Sequence, residues 1–159
     1  MTRSLSSKIS LIFNVRECKK FFKGDNVMMD VNFLAVIVGA ALYFVIGMIW
    51  YSPQAFGKIW MQAHQVSEGE MKGCYKAMAG AFVIGLVLSY VMARFMNFAH
   101  IATFMEGAML GFWAWLGFVL TTHFSGVLWE KKPINLYLLH MGCLFVTFLA
   151  IGGLLGAWR

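Results

Sequence analysis

The chain alternates between four long apolar runs and shorter polar segments. The runs cover residues 31–50, 77–98, 101–124 and 134–158. At about 1.5 Å of rise per residue, each run is long enough as a helix to cross a hydrocarbon layer about 30 Å thick. Backbone groups in lipid must be paired within the protein, and the runs lack the alternation of barrel strands. The pattern therefore predicts an all-α integral membrane four-helix bundle.

The connections between the runs predict how they follow one another. Residues 67–70 read S-x-x-E, a capping box, so the second helix is predicted to begin in water and then enter the membrane. Residues 97–100 are predicted to form a tight turn between the second and third spans. Lys131-Lys132-Pro133 separates the last two spans, and Pro133 suits a first helical position. The four spans should alternate in direction, which places both termini on one side.

The segment after the first run reads WYSPQAFGKIW, at residues 50–60. Tryptophan and tyrosine are enriched where a protein crosses the membrane–water boundary. A serine can cap a helix and a proline can take its first position. Four residues at the start of this segment are therefore candidate interfacial or functional positions: Trp50, Tyr51, Ser52 and Pro53.

Beyond that start, apolar residues recur at helical spacing and predict a short amphipathic helix over 53–64, lying on the bilayer surface. Lys58 falls on its polar face. The helix is either an interfacial anchor or a rim that faces a substrate or partner through Lys58.

Composition supports a lipid environment. The chain is 60% hydrophobic and 13% charged, whereas soluble domains have about 25% charged residues. The net charge of +6 is best read as a topology signal, because the bases are not gathered on a polar domain that could bind nucleic acid. Three scattered cysteines without a CxxC pair exclude a disulfide framework. Membrane lipids are thus the expected surroundings of this chain, as a multi-pass membrane protein.

Residues 1–30 form a basic extension ahead of a single membrane domain at 31–159. The extension holds six bases and makes neither a convincing signal peptide nor a good amphipathic helix. Met28-Met29 directly precedes the first span, so we hypothesise that natural translation starts there. With the whole extension, the distribution of bases favours termini in the cytoplasm, and without it the opposite orientation. The orientation stays open.

Three spans carry small residues at spacings of four, which allow close approach of helices. They are Ala77, Ala81, Gly85, Ser89 and Ala93 in the second span, Gly107 and Gly111 in the third, and Gly152 and Gly156 in the fourth. The stripes predict packing within the bundle, with contact between copies through an exposed stripe as the alternative.

Ionisable residues within spans are functional candidates. Arg94 near the end of the second span and Glu106 early in the third fall on the same side of the membrane. We predict an ion pair that holds the two spans together, with a proton- or cation-handling Glu106 as the alternative.

His123 and His140 should also lie on one side, because the loop between the third and fourth spans brings them together. Thr121, Thr122, Tyr137 and Cys143 are near them in the sequence, which predicts a polar cluster. A histidine that is hydrogen-bonded between helices is favoured over a metal or haem site, since there is no HxxxH, no CxxCH and no acidic partner. We predict no metal, no cofactor and no catalytic residue, because no catalytic motif is present.

The chain resembles a family of small bacterial membrane proteins, domain of unknown function 1761. The residues that carry the resemblance are Val31–Ala35, WYSP at 50–53, Phe56-Gly57-Lys58, Trp60-Met61, Gly117-Phe118, Thr121-Thr122 and GGLLGAWR at 152–159. The resemblance covers about residues 30–159 and implies a four-helix integral membrane fold without an established activity. Its members are bacterial, so the expected location is the bacterial inner (plasma) membrane. Family members often carry asparagine in place of His140, so the resemblance gives that side chain no catalytic or ligand role.

Three functional classes follow. The first is a structural or accessory membrane subunit without catalysis, which packs against another membrane protein or a second copy. The second is a small oligomeric transporter or permeation unit that uses Glu106, Arg94 and the histidines. A membrane metal- or haem-binding protein is the third.

Overall fold

Secondary structure is helical in the part of the chain that the structure, a computed structural model, describes: residues 31–64, 75–129 and 133–158. The helices are α1 (Phe33–Trp50), α2 (Gly57–His64), α3 (Tyr75–Phe98), α4 (Phe104–Ala114), α5 (Thr121–Trp129) and α6 (Ile134–Ala157). A π-helical segment, Trp115–Leu120, joins α4 to α5. These described residues contain no strand, and the predicted all-α fold class is confirmed. The N-terminal extension and the capping box at 67–70 lie outside the described residues.

Among the described residues, four helices are long and apolar enough to cross a membrane: Phe33–Trp50, Tyr75–Phe98, Phe104–Trp129 and Ile134–Ala157. The third of these differs most from the predicted run. It begins at Phe104, because the Thr103 hydroxyl caps it by accepting from the amide of Glu106 (3.3 Å). It continues to Trp129 rather than ending at residue 124. The last one begins at Ile134, where the fourth predicted run begins, and Pro133 is its N-cap.

The interfacial helix begins later than predicted. Residues 51–56 form a turn, closed by the amide of Gly57, which donates to the carbonyl oxygen of Ser52 (2.9 Å). The hydroxyl of Ser52 donates back to the carbonyl oxygen of Ile49 (2.8 Å). Ser52 therefore closes α1, and the prediction that it caps a new helix with Pro53 in first position was wrong. The turn needs glycine at 57, since a Cβ there would overlap the carbonyl oxygen of Tyr51.

The chain reverses between α3 and α4 at His100, which has a positive φ of 53°. The amide of Ile101 donates to the carbonyl oxygen of Met96 (3.0 Å) and ends α3. The two helices are neighbours in sequence, yet α3 packs mainly on α1 and α4 mainly on α6. The bundle is thus built from two close helix pairs, with α6 also contacting α1 and α3.

Four glycines bring α4 and α6 together backbone to backbone, and we call this contact the glycine junction: Gly107, Gly111, Gly152 and Gly156. A Cβ at Gly107 would overlap the carbonyl oxygen of Gly152, and one at Gly111 would overlap that of Phe148. The buried core lies beside the junction and comprises Ala35, Met92, Met96, Phe148, Ile151 and Leu155. Because lipid tails are as apolar as these side chains, close van der Waals packing is what holds such helices together.

The small-residue stripe of α3 is only partly covered. Gly85 and Ser89 are buried against α1, where a Cβ on Gly85 would lie 3.0 Å from the Cβ of Tyr43. Ala81 and Ala93 are half-buried, and Ala77 is exposed. The stripe therefore serves contact within the bundle along its C-terminal half.

Candidate functional site

A cavity of about 400 Å³ lies where α1 and α5 end and α6 begins. We call it the histidine pocket. It is lined by Tyr51, Trp60, His123, Val127, Leu136, Tyr137, Leu139, His140 and Met141. Its walls thus come from the turn after α1, from α2, from α5 and from α6.

The WYSP turn joins the end of α1 to α6. The indole N–H of Trp50 donates to the carbonyl oxygen of Leu139 (3.1 Å). The next residue, Tyr51, places its hydroxyl 2.9 Å from Nδ1 of His140. Both contacts connect positions 89 residues apart in the sequence. The two aromatic residues of the motif therefore link the end of α1 to α6 by hydrogen bonds.

The phenol of Tyr51 stays protonated at neutral pH. Burial raises the pKa of Tyr51 from its ordinary value to about 12. The hydroxyl can therefore donate its proton to Nδ1 of a neutral His140. In that arrangement the proton of the His140 ring is on Nε2.

The two histidine rings lie next to each other at the pocket. Their centroids are 5.6 Å apart, with an angle of 49° between the ring planes. Nδ1 of His123 is 3.0 Å from the carbonyl oxygen of Val119. Because a carbonyl only accepts hydrogen bonds, this nitrogen carries the proton, and Nε2 of a neutral His123 is an acceptor. Both side chains are exposed, so the rings are accessible from the cavity.

The π-helical segment explains how the polar residues around the pocket are used. Its irregular backbone pairing would be costly in lipid unless side chains completed it. Hydroxyl groups do so: those of Thr121 and Thr122 donate to the carbonyl oxygens of Gly117 and Phe118, and that of Tyr137 donates to Leu120 (3.0 Å). The two threonines therefore complete the hydrogen bonding of the π-helical backbone.

A second tryptophan ties this segment to α6. The indole N–H of Trp115 donates to the carbonyl oxygen of Met141 (3.1 Å). Its ring also packs edge-on against Phe145, with centroids 4.8 Å apart. The carbonyls of Leu139 and Met141 thus each receive a tryptophan from a different helix.

The family model described as "Protein of unknown function (DUF1761)" matches residues 34–156. The chain belongs to this family. The predicted resemblance is confirmed, and with four helices able to span a bilayer the protein is a membrane protein. Every residue that lines the histidine pocket falls within the part that matches DUF1761. No curated protein and no solved structure matches the chain significantly.

Arg94 and Glu106 lie at the opposite end of this DUF1761 bundle and do not form the predicted ion pair among the described residues. Glu106 lies in the first turn of α4, and its carboxylate instead accepts a hydrogen bond from the amide of Ala102 (3.3 Å). The guanidinium of Arg94 lies 5.6 Å from the centroid of the Phe98 ring. Glu106 is thus placed as a helix-capping carboxylate, a favourable role beside the positive end of the helix dipole.

The remaining candidates lie away from the lining. Pro53 and Lys58 are exposed on the turn and on α2. Cys143 is buried one turn along α6 from His140, and its carbonyl oxygen accepts from the hydroxyl of Thr147 (2.8 Å). Within residues 31–64, 75–129 and 133–158, no three His, Cys, Asp or Glu side chains are placed to share a metal ion.

Sequence reasoning missed the contributions of Trp60, Trp115 and the π-helical segment. Trp60 lies in the predicted amphipathic helix, but its spacing shows only an apolar face and not what that face meets. The π-helical segment has no compositional signal beyond Gly117, followed by two threonines at the distance of one turn.

Proposed function

We propose that this protein is a structural or accessory subunit of the bacterial inner (plasma) membrane, without catalysis of its own. The observation that supports the proposal is the glycine junction, in which α4 and α6 meet at their backbones. The same two segments of chain continue into the walls of the histidine pocket. A fixed frame of this kind suits a protein that acts by holding a shape in the membrane.

The use of the polar side chains agrees with this role. Three side chains donate hydrogen bonds to backbone carbonyls of another helix or of the π-helical segment: Trp50, Trp115 and Tyr137. Interhelical hydrogen bonds of this type are worth about 0.6 to 2 kcal/mol each in membranes. These indole and phenol donors therefore stabilise the packing of the helices.

Native mass spectrometry of the protein, released gently from its own membranes, tests the proposal. We expect a stoichiometric complex with another membrane polypeptide. Gly152→Leu should release that polypeptide, because it forces α4 and α6 apart. Gly47→Leu is the matched control, since a Cβ there meets nothing within 4 Å. A monomer without any polypeptide partner would overturn the proposal.

The second candidate is a small oligomeric transporter or permeation unit. The paired imidazoles at an accessible cavity favour it, because an imidazole ring can relay a proton between its two nitrogens. A homo-oligomer in the same experiment, together with proton flux in proteoliposomes that is lost in His123→Leu, would establish it. Glu106→Gln should leave that flux unchanged, since Glu106 caps α4 at the other end.

A further inference from the structure

We propose that the histidine pocket binds a small uncharged amphipathic molecule whose head is a hydroxylated aromatic ring, the chemical class of alkylphenols and hydroquinones. The inference goes beyond the accessory role and does not depend on it. It rests on the size of the cavity, its lining, its unused hydrogen-bonding atoms and its depth in the membrane.

The size and the lining fit a small organic ligand. Cavities that bind such ligands measure about 300 to 1,000 Å³ and are mostly apolar with a few polar groups. The histidine pocket measures about 400 Å³, and Val127, Leu136, Leu139 and Met141 provide its apolar wall.

The described residues that line the pocket include no Asp, Glu, Lys or Arg. A charged ligand in this pocket would lose its hydration without gaining a side chain of opposite charge, and the free-energy cost of this desolvation is high near lipid. The lining thus favours an uncharged molecule.

The hydrogen-bonding atoms select the head group. Nδ1 of His123 contacts the carbonyl oxygen of Val119, and Nδ1 of His140 the hydroxyl of Tyr51, so among the described residues the Nε2 atom of each ring is left for a ligand. For neutral rings, Nε2 of His123 accepts and Nε2 of His140 donates. A hydroxyl group both donates and accepts, and the 5.6 Å between ring centroids allows one oxygen to reach both rings.

Aromatic side chains favour a ring next to that hydroxyl. Tyr51 and Trp60 lie edge to face, with centroids 6.3 Å apart, and both line the cavity with Tyr137. Aromatic rings prefer such offset or edge-to-face neighbours at centroid separations of about 4.5 to 7 Å. A ligand ring would extend this arrangement, with its alkyl tail along the apolar wall.

The depth of the pocket suits an amphiphile. His123 lies six residues before the end of α5, and His140 six residues after the start of α6, which places both about 9 Å from the helix ends. This is the level at which the polar head and apolar tail of an amphiphile divide between interface and hydrocarbon.

Calorimetric titration of the full chain in phosphatidylcholine nanodiscs tests the inference, with empty nanodiscs as the blank. The probes are 4-hexylphenol and 4-hexylanisole, which differ in the hydroxyl donor that the pocket should recognise. We expect one phenol to bind per protein, and the anisole to bind at least about tenfold more weakly, a difference of about 1.4 kcal/mol.

Variants locate the site. His123→Leu should weaken phenol binding about tenfold or more and leave the anisole unchanged. His100→Asn is the control, because it removes a histidine at the opposite end, and asparagine tolerates the positive φ of this position. Equal binding of the two probes, no saturable binding, or phenol binding that survives in His123→Leu would overturn the inference. If His123→Leu does not fold, the comparison of the two probes on the native chain still decides.

Discussion

The two ends of the bundle are held together by different means. At the end that contains the glycine junction, backbones touch and a core of large apolar side chains is buried. At the end that contains the histidine pocket, neither the π-helical segment nor α5 has a buried residue. There, long aromatic side chains bridge between helices through single hydrogen bonds.

The difference shows why the cavity lies where it does. Small residues let two helices approach until no space remains between them. Tryptophan and tyrosine have large rings that need room between helices, and here their hydrogen bonds reach across that space. α6 carries both kinds of residue, with leucine, tyrosine and histidine in its first turns and glycine in its last ones. One helix therefore forms a closed contact at one end and an accessible pocket at the other.

The largest expected effect comes from filling the glycine junction. Gly152→Leu would place a side chain against the carbonyl oxygen of Gly107, and we expect a loss of about 3 kcal/mol or more, because backbone cannot move aside as a flexible side chain can. Unfolding in mixed detergent and SDS micelles measures it. Gly80→Leu is the matched control, since its Cβ meets nothing within 4 Å. Equal stability of the two variants would contradict the close contact.

A smaller loss is expected at the opposite end. Trp50→Phe keeps an aromatic ring but removes the donor to the carbonyl oxygen of Leu139, which should cost about 1 kcal/mol. Trp129→Phe controls for the substitution, because that ring is 86% exposed. The same unfolding assay measures the stability of both variants. Equal stability would show that the hydrogen bond of the Trp50 indole does not hold α1 to α6.

The third prediction concerns alkaline pH. Folding raises the pKa of Tyr51 from 10.0 to about 12, so its contribution to stability is complete below the lower value and is lost as the pH rises through the higher one. As the pH rises from the lower to the higher value, the denaturant concentration at the unfolding midpoint should therefore decrease. It should decrease less in Tyr51→Phe than in the native chain. If both proteins lose the same stability over this pH range, the surroundings of Tyr51 do not raise its pKa.

The smallest effect is expected inside the packed end. The hydroxyl of Ser89 is buried and has no hydrogen-bond partner among the described residues. Ser89→Ala should therefore be neutral or stabilise the fold by up to about 1 kcal/mol. Thr147→Val is the comparison, because it removes a bond to the carbonyl oxygen of Cys143 and should destabilise. If Ser89→Ala lowers stability as much as Thr147→Val, the serine has a partner that its geometry conceals.

Part of the candidate site was predictable from the sequence. The spacing of His123 and His140 around one loop is enough to put them on the same side of the membrane, and the structure brings their rings together. Tyr51 was recognised as a boundary residue, but its contact with His140 depends on how α1 and α6 are rotated towards each other. Glu106 was paired with Arg94 on depth alone, whereas the amide of Ala102, just before α4, is its hydrogen-bond partner.

The amino-acid sequence by itself determined that four helices cross a membrane, and which of them carry small-residue stripes. Length and hydropathy report the solvent around a helix, and both are local properties of the chain. Only the tertiary structure decided that the stripe of α3 is half covered, that a π-helical segment interrupts the third span, and that an aromatic turn meets a histidine 89 residues away. Those outcomes depend on which helix faces are paired, and in lipid an apolar face does not specify whether a helix or an acyl chain covers it.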